Sequence, residues 1–302
     1  MDERGTARQK TLKAPIRCRG IGLHTGVKVS MTLRPAPIDA GIAFRRSDLG
    51  VEIGASWKSI ANSALCTTLG CNGASVATVE HLMAAFAGLE VDNAIVELDG
   101  PEVPAMDGSA APFVFLIERT GLVEQDAPRR AIQVLKPVRV SADGKSAALL
   151  PDDEFTLSFA IDFDGTALLR QKITVTPDAE SFKQDIAQAR TFGFLEEVES
   201  MRAAGLARGG SLDNAVVISG DRVLNAEGLR YGDEFVRHKV LDAIGDLYLA
   251  GGPIIGRFEG RRSGHALNRR LLEALFADPK AWRYATLEEP TEAWEEPARA
   301  TA

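Results

Sequence analysis

Apolar residues recur along this chain with two periods, and the switches between them mark its elements. Val27, Val29, Met31 and Leu33 alternate with Lys28, Ser30, Thr32 and Arg34, the period-two pattern of a half-buried strand. Further strands are predicted at Ile42–Arg46 and 93–98. Thr78 reads as the N-cap of a helix that runs to Phe86 and stops at Gly88. A second helix, 110–120, follows the turn Pro104-Ala105-Met106-Asp107-Gly108. The polar, proline-containing stretch 124–130 then reads as a linker.

Beyond it the pattern begins again. Strands are predicted at 132–140, 147–150, 155–163 and 173–175, and a helix at 179–189. A long helix, 233–249, stops at Gly251-Gly252-Pro253, and a strand at 254–258 leads to a last helix at 266–276. Strands followed by helices, twice over, predict an α+β fold of two similar two-layer α/β sandwich domains. The expected division is 1–125 and 126–302, with the active site at the interface. No sequence repeat links the halves, so the duplication rests on element order alone.

Composition narrows the functional classes. The net charge of −7 argues against nucleic acid as the main partner. No apolar run approaches the roughly 20 residues that span a bilayer, so no stable membrane insertion is expected. The first ten residues show no signal-peptide core. Cys18, Cys66 and Cys71 are odd in number and lack zinc-ribbon spacing, so they read as reduced thiols of a cytoplasmic protein. The tail from Glu288 onward, rich in glutamate and proline, reads as frayed. No Gly-rich nucleotide fingerprint is present.

The chemistry concentrates in 238–246. His238, Asp242 and Asp246 stand at i, i+4 and i+8, one stripe of a helix otherwise built from Val236, Val240, Leu241, Ile244 and Leu247. Three ionisable groups on an apolar face are costly without a partner, and a metal ion takes imidazole and carboxylate together. A stripe of ion pairs with Arg237 or Lys239 is the plainer alternative, although two acids four residues apart repel.

There are only four histidines: His24, His81, His238 and His265. If helices of the two halves meet, His81 joins His238 and Asp242, giving two imidazoles, one carboxylate and one open position. That is the shell of a catalytic zinc. Glu80 beside His81 would then act as general base, although the pair also suits ordinary first-turn helix electrostatics. His265 would be the general acid, oriented by Asp246, and the Thr191 hydroxyl could donate to an oxyanion.

Assembled, these motifs resemble a known family. They are Gly20-Ile21-Gly22-Leu23-His24-Thr25-Gly26, Thr78-Val79-Glu80-His81-Leu82, Met106-Asp107-Gly108-Ser109, Ala189-Arg190-Thr191-Phe192-Gly193-Phe194, Phe235-Val236-Arg237-His238-Lys239 and Ser263-Gly264-His265-Ala266-Leu267-Asn268. In this order they are similar to the zinc-dependent UDP-3-O-acyl-N-acetylglucosamine deacetylases of lipid A biosynthesis.

The resemblance implies zinc at His81, His238 and Asp242, with iron(II) as the alternative ion. It implies Glu80 as base, His265 as acid held by Asp246, and Thr191 at the oxyanion. His24, Lys239, Phe192, Lys145 and Phe163 are the implied substrate-binding residues. The implied substrate is a UDP-linked acylated glucosamine; the sequence does not fix the assembly, and a monomer is the default expectation. An insert at 196–217 is expected to form an apolar passage for the acyl chain, with Arg208-Gly209-Gly210-Ser211 as its mobile part. Two other readings fit the same residues: a zinc amidase acting on another acylated amino sugar, and a non-catalytic, metal-stabilised binder of lipid precursors.

Overall fold

Strand Lys28–Pro35 forms where the alternation predicts it, burying Val29, Met31 and Leu33 and exposing Lys28 and Ser30. The computed structural model describes residues 5–162 and 170–288. Phe163 and the tail beyond Glu288 lie outside them. Lys28–Pro35 is second in a five-stranded sheet ordered Ile16–Ile21, Lys28–Pro35, Ala94–Leu98, Ile42–Arg46 and Val51–Gly54. Neighbours are antiparallel except Ala94–Leu98 and Ile42–Arg46, which run parallel. Helix α1 (Glu80–Gly88) precedes the strand Ala94–Leu98, and α2 (Ala111–Thr120) follows it.

The second half repeats this plan. Its strands run Val138–Ala142, Lys145–Leu150, Ile254–Arg261, Phe155–Asp162 and Arg170–Val175, again with one parallel pair between the third and fourth positions. Arg130–Val134 and Trp282–Thr286 extend that sheet. Each copy carries an insertion between its fourth strand in sequence and its first long helix. In the first copy it holds the small sheet Ile60–Asn62, Thr68–Cys71 and Ala74–Val76. In the second it holds α3 (Ala179–Ser181), α4 (Leu195–Ala203) and the sheet Phe192–Phe194, Val216–Ser219 and Arg222–Val223. Helix α5 (Glu234–Tyr248) comes next, before Ile254–Arg261, and α6 (His265–Ala277) follows that strand.

Helices α1 and α5 pack against each other, and α5 also lies on Phe155–Asp162 and Arg170–Val175. Gly245 sets the approach: a Cβ there would stand 2.0 Å from the Glu80 carbonyl oxygen. Gly245→Ala must therefore push the two helices apart. We expect a loss of about 1–3 kcal/mol, read as a lower Tm or denaturation midpoint.

Several expectations are corrected. Thr78 does not cap α1: its backbone is left-handed, with φ at 57°, and its hydroxyl donates to buried Glu102 instead. Residues 124–130 are no open linker, because Leu122–Pro128 pairs antiparallel with Arg8–Leu12. Their polarity marks a two-stranded ribbon, in which Gln125 is held by the Asn93 side chain and the Ala36 carbonyl. The expected strand 132–140 is two strands broken before Pro137, which has no N–H to give to a ladder. The helix expected at 179–189 is α3, opened by an Asp178–Ser181 capping box, and a π-turn at Phe182–Ile186. All three cysteines are free. No helix among the described residues is long and apolar enough to cross a membrane.

Candidate active site

Helix α5 carries not three but four ionisable residues on one stripe: Glu234, His238, Asp242 and Asp246, all buried. Each has its own partner, which is how the helix tolerates them. Glu234 at the N-terminal end accepts from the backbone and guanidinium of Arg190 at 3.0 and 2.8 Å. The ion pair fixes the segment that includes Ala189 and Thr191. Ala189 in turn offers its carbonyl, 3.0 Å away, to His238 Nδ1. A carbonyl only accepts, so Nδ1 carries the hydrogen and the Nε2 lone pair is presented to the site.

His81 arrives from α1. Its Nε2 lies 3.5 Å from Asp242 Oδ1, and His238 Nε2 lies 3.3 Å from the same oxygen. The two rings meet edge to face, with centroids 5.0 Å apart. His81, His238 and Asp242 each offer a ligand atom, and these atoms lie within 4.8 Å of one another. Asp242 Oδ1 is buried and accepts no hydrogen bond. A buried polar atom left so costs about 1–3 kcal/mol, which a cation on this oxygen would relieve. Nitrogen and oxygen donors in this number suit a divalent transition metal with a position to spare. The residues therefore fit a metal.

Electrostatics agree with that reading. Burial pushes the His238 imidazole down to about 3, so it is neutral, as a ligand must be. Burial works against the Asp242 charge, but the Lys239 ammonium beside it holds its carboxyl well below the usual range. Lys239 Nζ stands 2.6 Å from Asp242 Oδ2.

Two further titratable groups, Glu80 and His265, lie beside this cluster. Burial pushes the Glu80 carboxyl up to about 8, against the pull of His265. Burial opposes the charge on His265, yet Asp246 and Glu80 more than offset it and raise the imidazole to about 10. His265 Nδ1 meets Asp246 Oδ2 at 2.8 Å, while Nε2 stands 3.7 Å from Glu80 Oε1. His265 is the first residue of α6 and not part of a preceding loop.

These groups open onto a cavity of about 620 Å³. His24, Thr191, Phe192, Lys145 and Lys239 line it together with the metal cluster, Glu80 and His265. Phe192 sets its ring edge to face against Phe235 and, 6.2 Å away, His238. His24 Nδ1 is buried without a partner. Asp246 stays behind the wall, seen by the cavity only through His265. The insertion supplies an apolar stretch of wall from Leu195, Val198, Met201, Leu212, Val217 and Leu224. Its Arg208–Gly209 segment is docked, giving N–H groups to the carbonyls of His24 and Leu23 at 3.1 and 3.0 Å. Only glycine fits that contact, since a Cβ at Gly209 would meet the Gly22 carbonyl oxygen at 2.1 Å.

Three residues of the site escaped sequence reasoning. Glu102 is fully buried and accepts from His24 N, Thr25 N, Thr25 Oγ1 and Thr78 Oγ1, fixing the His24 loop. Thr67 contacts both Glu80 and Asp246. Asn268 donates to Asp246 Oδ2 at 2.9 Å. The position of Asn268, one turn after His265, was the available signal; Thr67 and Glu102 offered none.

Residues 9–277 match the family model described as LpxC, UDP-3-O-acyl N-acetylglycosamine deacetylase. The UDP-3-O-acyl-N-acetylglucosamine deacetylase of Stenotrophomonas maltophilia (strain R551-3) is 54% identical over 288 residues, covering 93% of this chain and 94% of that protein. Proteins of the same name from Chromohalobacter salexigens and Saccharophagus degradans are 52% and 51% identical, covering 94% and 93% of this chain and 95% and 94% of their own lengths. A family match over most of the chain, and relatives covered almost end to end, meet a site whose donors suit a metal. This chain belongs to the UDP-3-O-acyl N-acetylglycosamine deacetylase family.

Proposed function

We propose that this chain removes the N-acetyl group of a UDP-3-O-acyl-N-acetylglucosamine, releasing acetate and the free amine, as a step in lipid A biosynthesis. The observation that carries the reading is Asp242 Oδ1, a buried carboxylate oxygen without a donor, facing two imidazole nitrogens in the cavity wall. His81, His238 and Asp242 would hold zinc, with iron(II) as the alternative ion. Such an ion supplies Lewis-acid polarisation of the amide carbonyl and a lowered pKa for water.

The chain's own residues do the rest. Glu80, ionised, takes a proton from the attacking water. His265, protonated at Nε2 and held through Nδ1 by Asp246, gives a proton to the leaving sugar nitrogen. The Thr191 hydroxyl donates to the oxygen on which negative charge develops. Lys239 and Lys145 carry positive charge to the cavity wall, suited to a diphosphate, and Phe192 and His24 flank the sugar. Phe163, outside the described residues, is assigned to substrate binding by resemblance alone. The apolar wall from the insertion suits the 3-O-acyl chain.

The division into 1–125 and 126–302 belongs to this reading, each part carrying one copy of the repeated plan. So do action as a monomer and a place in the cytoplasm, the second in keeping with three free thiols. Acetate release from UDP-3-O-(3-hydroxyacyl)-N-acetylglucosamine, measured before and after chelation and zinc add-back, tests the proposal. Release should vanish with the chelator and return with zinc. A folded, zinc-loaded protein that releases none would sink the substrate assignment.

A further inference from the structure

Thr67 comes from the insertion of the first copy, just ahead of the strand Thr68–Cys71, and is 1% exposed. Every polar group it has is committed at the site. Its carbonyl accepts from Val79 N at 3.2 Å, which pins the residue to the start of α1. Its N–H donates to Glu80 Oε2 at 3.1 Å. Its hydroxyl donates to Asp246 Oδ1 at 2.5 Å, and the Thr67 hydroxyl oxygen itself lies 3.4 Å from His265 Nδ1.

The hydroxyl has one proton, and Asp246 takes it. Asp246 then has donors on both oxygens: Thr67 on Oδ1, His265 Nδ1 and Asn268 Nδ2 on Oδ2. A carboxylate held on one oxygen only can turn about its terminal bond, whose torsion is soft. Held on both, it keeps Oδ2 in line with His265 Nδ1, and so keeps Nε2 aimed into the cavity. The Thr67 N–H meanwhile occupies Glu80 Oε2 and leaves Oε1 as the oxygen nearest His265, 3.7 Å from Nε2.

We propose that Thr67 is a positioning residue for both proton-transfer groups, acting on His265 through the second oxygen of Asp246 and on Glu80 through its backbone N–H. It is not among the residues that line the cavity, and its hydrogen bonds go to Glu80, Asp246 and Val79 and to none of His81, His238 and Asp242. The inference rests on the deacetylase reading above, in which Glu80 and His265 move protons.

The test uses the zinc-loaded full chain and acetate release from UDP-3-O-(3-hydroxyacyl)-N-acetylglucosamine. Thr67→Val removes the hydroxyl while keeping shape and the backbone N–H. It should lower kcat by about tenfold or more, the usual scale for a lost second-layer partner, with KM within about twofold and zinc content unchanged. Thr67→Ser, which restores the hydroxyl, should recover most of that loss. In a His265→Ala background, Thr67→Val should cost nothing further, because the group it orients is gone. The proposal is overturned if Thr67→Val leaves kcat within twofold of the unsubstituted enzyme, or if it costs the same factor in the His265→Ala background. Should Thr67→Val fail to fold, Thr67→Ala serves the same comparison. An unsubstituted enzyme that releases no acetate would point to a failed deacetylase reading, a different result from either.

Discussion

Asp242→Ala is expected to strip the protein of its metal and to lower acetate release by about a thousandfold or more, the worth of several kcal/mol of lost Lewis-acid stabilisation. The carboxylate sits one helical turn beyond His238 and is the only oxygen donor of the cluster. Without it two imidazoles remain, too few for a stable site. A second effect acts in the same direction. The half-buried Lys239 ammonium is paired with Asp242 at 2.6 Å. With the partner removed, an uncompensated positive charge would face the incoming cation. Asp242→Asn should also lose metal, because it keeps an oxygen but not the charge that balances Lys239. Metal content after dialysis, read beside turnover, checks both variants; full turnover from metal-loaded Asp242→Ala would remove this residue from the ligand set.

Glu80→Gln and His265→Ala should retain metal and each lose about 10²- to 10⁴-fold in rate, the range for a general base or acid. Their pH profiles should differ in opposite senses. A base works ionised, so the rate of the unsubstituted enzyme rises as Glu80 loses its proton. Burial places that step near 8, and a dication beside it moves the step lower. An acid works protonated, so the rate falls again as His265 deprotonates. Asp246 and Glu80, outweighing burial, hold that step near 10, and the same dication lowers it too. Glu80→Gln should flatten the rising limb and His265→Ala the falling one. Unchanged limbs in both variants would show that other groups carry the protons.

The stripe on α5 was legible because the helical period and the apolar residues around it leave little choice about which face His238, Asp242 and Asp246 share. That His81 would join them could be read only by supposing that the two halves meet through helices. The supposition concerned architecture, and no residue pattern carries it. Gly245, which lets the helices touch, looks in sequence like any tolerated helix glycine.

The misreadings have local causes. Thr78 is a good N-cap residue by type, but a buried carboxylate twenty-four positions away competes for its hydroxyl. The ribbon at Leu122–Pro128 is polar because it is two strands wide, not because it is unstructured. Thr67 and Glu102 were invisible for a deeper reason. Their importance is a matter of what stands next to them across the fold, and a lone threonine or glutamate in an irregular stretch advertises nothing of the kind.

The repeated plan has a consequence for how a site of this sort can be built at all. Two identical subunits meeting through equivalent helices are bound by symmetry to present the same side chains to each other. Here α1 and α5 occupy equivalent places in the two copies but belong to one chain, and nothing obliges them to match. One helix contributes the Glu80 carboxylate and a single imidazole; the other contributes an imidazole, the Asp242 carboxylate and Asp246, which holds His265. The insertions have diverged as freely, one bringing Thr67 and the other Thr191 and an apolar wall. Covalent linkage thus releases a twofold arrangement from its own symmetry, letting unlike groups such as Glu80 and His265 face the same cavity from opposite copies.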